Sequence, residues 1–169
     1  TFLHALGNDL RGTVVDHKVV DEVREIRALA EKQGTAVHLP VDVIAAPELE
    51  EGVETLVCAV DEIPEGWHAF DIGPQTVQTF IERLKSARTI LWTGPMGAYE
   101  LPAFSGGTQA LAEAIASSPA YSLIGGGETG EAMERFGVSE QINYISTGGG
   151  ACLALLRGRV TAALQALMV

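Results

Sequence analysis

Two glycine-rich stretches in the second half of the chain carry its clearest chemistry. The first reads Tyr121-Ser122-Leu123-Ile124-Gly125-Gly126-Gly127-Glu128-Thr129. The second reads Ile142-Asn143-Tyr144-Ile145-Ser146-Thr147-Gly148-Gly149-Gly150-Ala151. Each has the pattern of a short apolar strand, a glycine triplet and a helix start. Glycine accepts a positive φ and lets a ligand approach the main chain closely. The helix that follows offers unpaired N–H groups at the positive end of its dipole. Such an end holds phosphate without a lysine. Two of them on strand–helix units would lie side by side on one rim of a sheet.

Glu128 and Thr129 follow the first triplet at the helix start. One reading is capping and dipole complementarity. The other is a carboxylate holding Mg²⁺ on nucleotide phosphates, with the Thr hydroxyl on a phosphate oxygen. The two are compatible. Gly125 to Gly130 also matches GxGxxG, but a dinucleotide site wants an acidic residue at the end of the next strand. That strand ends in Ser146-Thr147 and more glycine. A third loop, Thr93-Gly94-Pro95-Met96-Gly97-Ala98-Tyr99-Glu100, follows another apolar strand. It reads as a plain turn, or as a nucleoside site with the base against Pro95 and Ala98 and the ribose hydroxyls donating to Glu100.

Other chemistries find little support. His4, His17, His38 and His68 lack metal-ligand spacing, and Ser105 and Ser146 lack an evident His/Asp partner. Asp61-Glu62 and the run Glu48 to Glu54 read as solvated acidic loops. Cys58 and Cys152 are far apart with no CxxC spacing, as in reduced cytoplasmic thiols. The net charge of -11 argues against non-specific nucleic-acid binding. It also means that cations for phosphate chemistry must come from a metal or another segment. The three lysines, Lys18, Lys32 and Lys85, stand in helix-like stretches away from the glycine loops. No apolar run approaches the ~20 residues of a membrane span.

The elements that must position these loops alternate along the chain. A helix tail is expected near residues 1–8, ending at Gly7-Asn8. An Asp16-capped helix should run on to Gly34. Strands are expected at 36–39, running into 40–44, at 56–60 and at 67–72, and an amphipathic helix at 75–87. A strand at 89–92 and a helix at 103–117 follow. Then come strand 121–124, helix 128–136, strand 142–146, helix 150–157 and a closing helix at 160–168. Strands this uniformly apolar suit a parallel sheet covered by helices on both faces. The chain opens on Thr1-Phe2-Leu3, in what reads as the middle of an element, and is expected to be a piece of a longer one.

Taken together, five motifs resemble phosphoglycerate kinases. These are Leu39-Pro40-Val41-Asp42-Val43, Trp67 through Asp71-Ile72-Gly73-Pro74, Leu91 through Glu100, the Gly125–Thr129 loop and Ser146 through Ala151. They occur in the family's order and cover essentially the whole chain. The resemblance implies most of a C-terminal nucleotide-binding domain, residues 1–169. It would be a Rossmann-like three-layer αβα fold with a mostly parallel sheet, incomplete at its N-terminal side. It also implies Mg-ATP or Mg-ADP as ligand, a cytoplasmic and monomeric parent, and reversible phosphoryl transfer between 1,3-bisphosphoglycerate and ADP. 3-Phosphoglycerate would be bound by an N-terminal domain absent here. Carried over by position, Ala69 and Phe70 border the adenine. Pro95, Gly97 and Ala98 line the nucleoside pocket, and Glu100 meets the ribose. Thr93, Gly126, Gly127, Glu128 and Thr129 hold phosphate, with Glu128 on the metal, and Gly148, Gly149 and Gly150 face the transferring phosphoryl group.

Three positions depart from the family pattern. Thr93 stands where Asn is usual, Glu128 where Asp is usual, and Ala69 where Gly is usual. The family's substrate-binding basic residues and its early phosphate-binding lysines have no counterpart here. Phosphoryl transfer depends on positioning and charge neutralisation, so this piece alone is expected to be inactive. A non-catalytic nucleotide-binding module of the same fold is the alternative, and a dinucleotide oxidoreductase domain a further one.

Overall fold

A computed structural model describes residues 1–160 and 165–166. The chain divides into two compact units, residues 1–80 with 96–107, and residues 81–95 with 108–169. No helix among the described residues is long and apolar enough to cross a membrane.

The first unit begins with a short helix α1 (Phe2–Ala5) and the longer α2 (Val20–Lys32). Asp16, expected to cap α2, instead accepts from the N–H of Lys18 in a 3-10 turn, His17–Val19, that leads into it, while Gly34, at φ +68°, follows its end as expected. Three strands follow, β1 (Asp42–Ala46), β2 (Leu56–Ala59) and β3 (His68–Ile72), in the order β2-β1-β3. Both pairings are antiparallel. Alternation with helices would have made them parallel, but the connections 47–55 and 60–67 contain no helix, and a parallel crossover needs about a dozen residues. Leu10, Val43, Ala45 and Ile63 form the core, with Trp67, Val60 and Cys58 packed against it. No strand forms at 36–39, where Ala36, Val37 and His38 are exposed and Leu39 half-buried; of the stretch expected to run on to 44, pairing begins only at Asp42, after Pro40. Proline has no N–H to give a ladder.

The pairing of β1 with β3 is irregular where it matters. Ile44 faces Asp71 and Ala45 faces Ala69, so Phe70 is the extra residue of a β-bulge. Bulges re-aim side chains and often border functional sites. After β3 comes α3 (Pro74–Leu84), with proline in its first turn. Its N–H groups are capped from a distant strand: the Asp42 carboxylate accepts from Gln75 N (2.9 Å), Thr76 N (2.7 Å) and the Thr76 hydroxyl (2.5 Å). Burial alone would raise the Asp42 pKa, but these hydrogen bonds hold it below the usual carboxylate value.

The second unit holds the parallel sheet of the expected α/β, Rossmann-like fold. Strands β4 (Thr89–Thr93), β5 (Tyr121–Gly125) and β6 (Tyr144–Ser146) lie in that order. The helices α4 (Gly106–Ala116), α5 (Gly127–Arg135) and α6 (Gly149–Leu156) alternate with them in the chain. One face of the sheet carries buried Ile90, Trp92 and Ile124; the other carries Leu91, Tyr121 and Tyr144, which stay exposed. At the start of the strands, the Asn143 side-chain oxygen accepts from Ser122 N (2.8 Å) and Asn143 N donates to the Ser122 hydroxyl (3.1 Å). The helix expected over 160–168 falls mostly on residues outside those described.

Candidate functional site

In the second unit, register alone brings three loops together. Thr93 is paired with Gly125 and Gly125 with Ser146, so all three strands end on one rim. Gly126 takes φ +108°, a value that suits glycine, and its N–H donates to the Ser146 carbonyl at 2.9 Å. The chain turns there straight into α5. Next door, Gly148 leads into α6. A Cβ on Gly149 would lie 2.9 Å from Gly126 Cα, so the two glycine loops touch backbone to backbone. The expectation that both triplets share one rim of the sheet holds.

Neither helix has a side-chain cap at its N-terminus. The first-turn N–H groups of an α-helix have no intrahelical partner. Those of Gly127 and Glu128 in α5, and of Gly149, Gly150 and Ala151 in α6, therefore lie at the positive dipole ends, whereas Thr129 is buried. Gly127, Gly148 and Gly150 are exposed. A Cβ on Gly127 or Gly150 would meet no atom of the described residues within 4 Å, so none of their side chains plugs the rim at these points. Glu128 is exposed in the first turn of α5.

Thr129 is buried, 1% exposed, and its hydroxyl accepts from Gly94 N at 2.8 Å. Gly94, at φ +87°, is held from the other side by Trp92, whose indole N–H donates to its carbonyl at 2.7 Å. Thr93 is exposed between these two anchors, and Pro95 follows, half-buried. Thr129 thus shapes the loop after β4. The Trp92 anchor was invisible in the sequence, where Trp92 reads only as a buried strand residue.

The first unit holds the remaining candidates. Ala69 and Phe70 lie half-buried near the end of β3, and the bulge aims the Phe70 carbonyl at the loop 97–100, where Ala98 N donates to it at 2.9 Å. The Phe70 ring lies 5.1 Å from that of Phe104 and 5.8 Å from that of His68. A tight turn, Tyr99 N to Gly97 O at 2.8 Å, presents Glu100 to solvent while Tyr99 is buried. Under this loop sits Asp71, 4% exposed, accepting from Gly107 N at 2.7 Å and Ile72 N at 2.8 Å. Burial pushes its carboxyl up to about 6, against the downward pull of those two N–H groups. In the sequence Asp71 showed only as part of a motif, and nothing marked it as buried.

A magnesium ion fits these residues in one way. Among the described residues no three of His, Cys, Asp or Glu gather to hold a metal. Mg²⁺ commonly takes one or two carboxylates and completes its shell with nucleotide phosphates and water. Glu128, exposed in the first turn of α5 beside the amide rim, is a carboxylate that could serve it.

A family model described as phosphoglycerate kinase matches residues 1–159. The phosphoglycerate kinase of Citrifermentans bemidjiense is 45% identical over 159 residues, covering 94% of this chain and 40% of that protein. That of Pelobacter propionicus is 43% identical over 167 residues, covering 99% and 42%. The solved phosphoglycerate kinase of Coxiella burnetii superposes with a TM-score of 0.91 at 39% identity, over 94% of this chain and 41% of that one. The enzyme of Pyrococcus horikoshii gives 0.80 at 31% identity, over 99% and 42%. The chain therefore spans well under half the length of the relatives it matches.

Proposed function

The chain belongs to the phosphoglycerate kinase family, and from that premise we propose that residues 1–169 form part of the nucleotide-binding domain of such a kinase. The parent enzyme catalyses reversible phosphoryl transfer between 1,3-bisphosphoglycerate and ADP, giving 3-phosphoglycerate and ATP, in the cytoplasm and as a monomer. Its 3-phosphoglycerate is bound by a domain outside this chain.

The observation that carries this reading is the pair of touching glycine loops, with two uncapped helix starts on one rim of a parallel sheet. Ligands of open α/β sheets bind at that end of the strands. In the second unit the nucleotide's phosphate tail takes the exposed first-turn amides of Gly127 and Glu128, with Gly126, Thr129, Thr93 and Pro95 shaping the loops beside them. Magnesium sits on Glu128 and neutralises phosphate charge. The Gly148-Gly149-Gly150 amides are available to the transferring group. In the first unit Ala69, Phe70, Gly97 and Ala98 receive the adenosine, and Glu100 accepts from the ribose hydroxyls.

The chain by itself transfers no phosphoryl group on this reading. A transferring phosphoryl needs charge neutralisation from several sides. Within the second unit the single lysine, Lys85, is paired with Glu82. Titration calorimetry with ADP, with and without Mg²⁺, and with NAD, tests the reading. Saturable Mg-ADP binding that weakens when Mg²⁺ is removed is expected. Tighter binding of NAD than of Mg-ADP overturns it in favour of a dinucleotide site.

A further inference from the structure

The loop at 97–107 in the first unit is built around a buried charge. Asp71 stands directly after the bulged Phe70 and takes the N–H of Gly107 at the far end of the loop (2.7 Å). A Cβ on Gly97 would fall on the same carboxylate, and so would one on Gly107. The loop therefore leaves the β3 end at Gly97 and returns at Gly107, with its backbone pressed against Asp71 at both points. Between them, Ala98 N is tied to the Phe70 carbonyl and the Phe104 ring rests on that of Phe70. A buried carboxylate is costly unless hydrogen-bonded. An apolar core would serve stability at least as well, so the carboxylate's use here lies in fixing a shape.

We propose that Asp71 is a positioning residue that sets nucleoside affinity by clamping the loop 97–107 at both ends. This rests on the proposed nucleotide reading: residues 97–100 receive adenosine, and the phosphate-binding amides belong to the second unit. On this proposal Asp71 acts on the nucleotide only through the loop it clamps. Its loss therefore weakens the adenosine contacts and spares those to the phosphates.

The test compares the chain with its Asp71→Asn variant in binding ADP and inorganic tripolyphosphate, both with Mg²⁺. Hydrogen exchange is followed at the amides of 98–107 and of β1 and β2. The expected result is an ADP affinity about tenfold lower, the size of one lost charge-assisted hydrogen bond. Tripolyphosphate affinity stays within about twofold, and exchange quickens at 98–107 while β1 and β2 are unchanged. Equal losses for both ligands, with faster exchange throughout the unit, overturn the inference and make Asp71 a general stability residue. ADP affinity unchanged in the variant overturns it as well. A wild-type chain that binds neither ligand overturns the nucleotide reading itself, and the inference with it. Should Asp71→Asn fail to fold, Asp71→Ser, whose hydroxyl stops one atom short of Gly107 N, loosens the same end of the loop with less bulk, and the same split between the two ligands is expected.

Discussion

Gly149 sits so close to Gly126 that a methyl group on it would reach within 2.9 Å of the Gly126 Cα. Two helix starts are thus locked together through bare backbone, and the amides of both point from one rim. On the proposed reading, phosphate binding by the second unit follows from that contact rather than from any side-chain cation.

Gly149→Ala should separate the two loops. Forcing a methyl into a closed contact costs roughly 1–3 kcal/mol. Part of this appears as a lower unfolding midpoint and part as Mg-ADP affinity reduced about tenfold. Gly150→Ala, whose Cβ would meet nothing within 4 Å, is the control and should leave the midpoint nearly unchanged. Calorimetry and thermal unfolding on the two variants check both statements.

Thr129→Val removes the acceptor of the Gly94 N–H while keeping the shape. A buried donor left unpaired costs about 1–3 kcal/mol. Thr129→Ser keeps the hydroxyl and should recover most of that loss. Urea unfolding of the three proteins reads the difference, and equal stability of the Val and Ser variants would count against the Gly94 bond.

Asp42 caps α3 from β1, so Asp42→Ala should destabilise the chain by about 1–2 kcal/mol at neutral pH, as caps do. Its folded pKa lies below the usual 3.8. The carboxylate's contribution is complete above that value and disappears as pH falls through the lowered folded one. The gap between wild type and variant in urea unfolding should therefore be full at pH 7 and shrink under strong acid.

Asp71 works in the opposite sense. Its folded pKa is raised from 3.8 to about 6. The folded chain binds the proton more tightly than the unfolded one, so its effect on stability is most favourable below about 4 and declines as pH rises to about 6. The full span is on the order of 3 kcal/mol. Asp71→Asn should abolish this decline. Unfolding midpoints at pH 4.5 and pH 7 measure it, and an unchanged pH slope in the variant would assign the dependence elsewhere.

The elements that carry the rim were legible because each repeats one local pattern. Strands β4, β5 and β6 are short apolar runs that stop at glycine, and Gly126 and Gly94 take the positive φ that such stops invite. Residues 36–39 look equally strand-like but do not pair, since a strand exists only when a neighbour accepts its hydrogen bonds. The antiparallel β1–β3 arrangement could be found in its helix-free connections, a signal outweighed by the apolar uniformity of the strands. What sequence spacing does not encode is reach across the fold. Asp42 meets Thr76 and Asp71 meets Gly107, partners more than thirty residues away, and no periodicity marks such pairs.

Main-chain amides as the grip on phosphate is the claim everything else depends on, and amide-resolved NMR reads it directly. On titrating ¹⁵N-labelled chain with Mg-ADP, the largest shifts are expected at the N–H groups of Gly127 and Glu128 and of Gly149 and Gly150. Saturable binding that leaves those amides unmoved, with the shifts at Lys18, Lys32 or Lys85 instead, would contradict it.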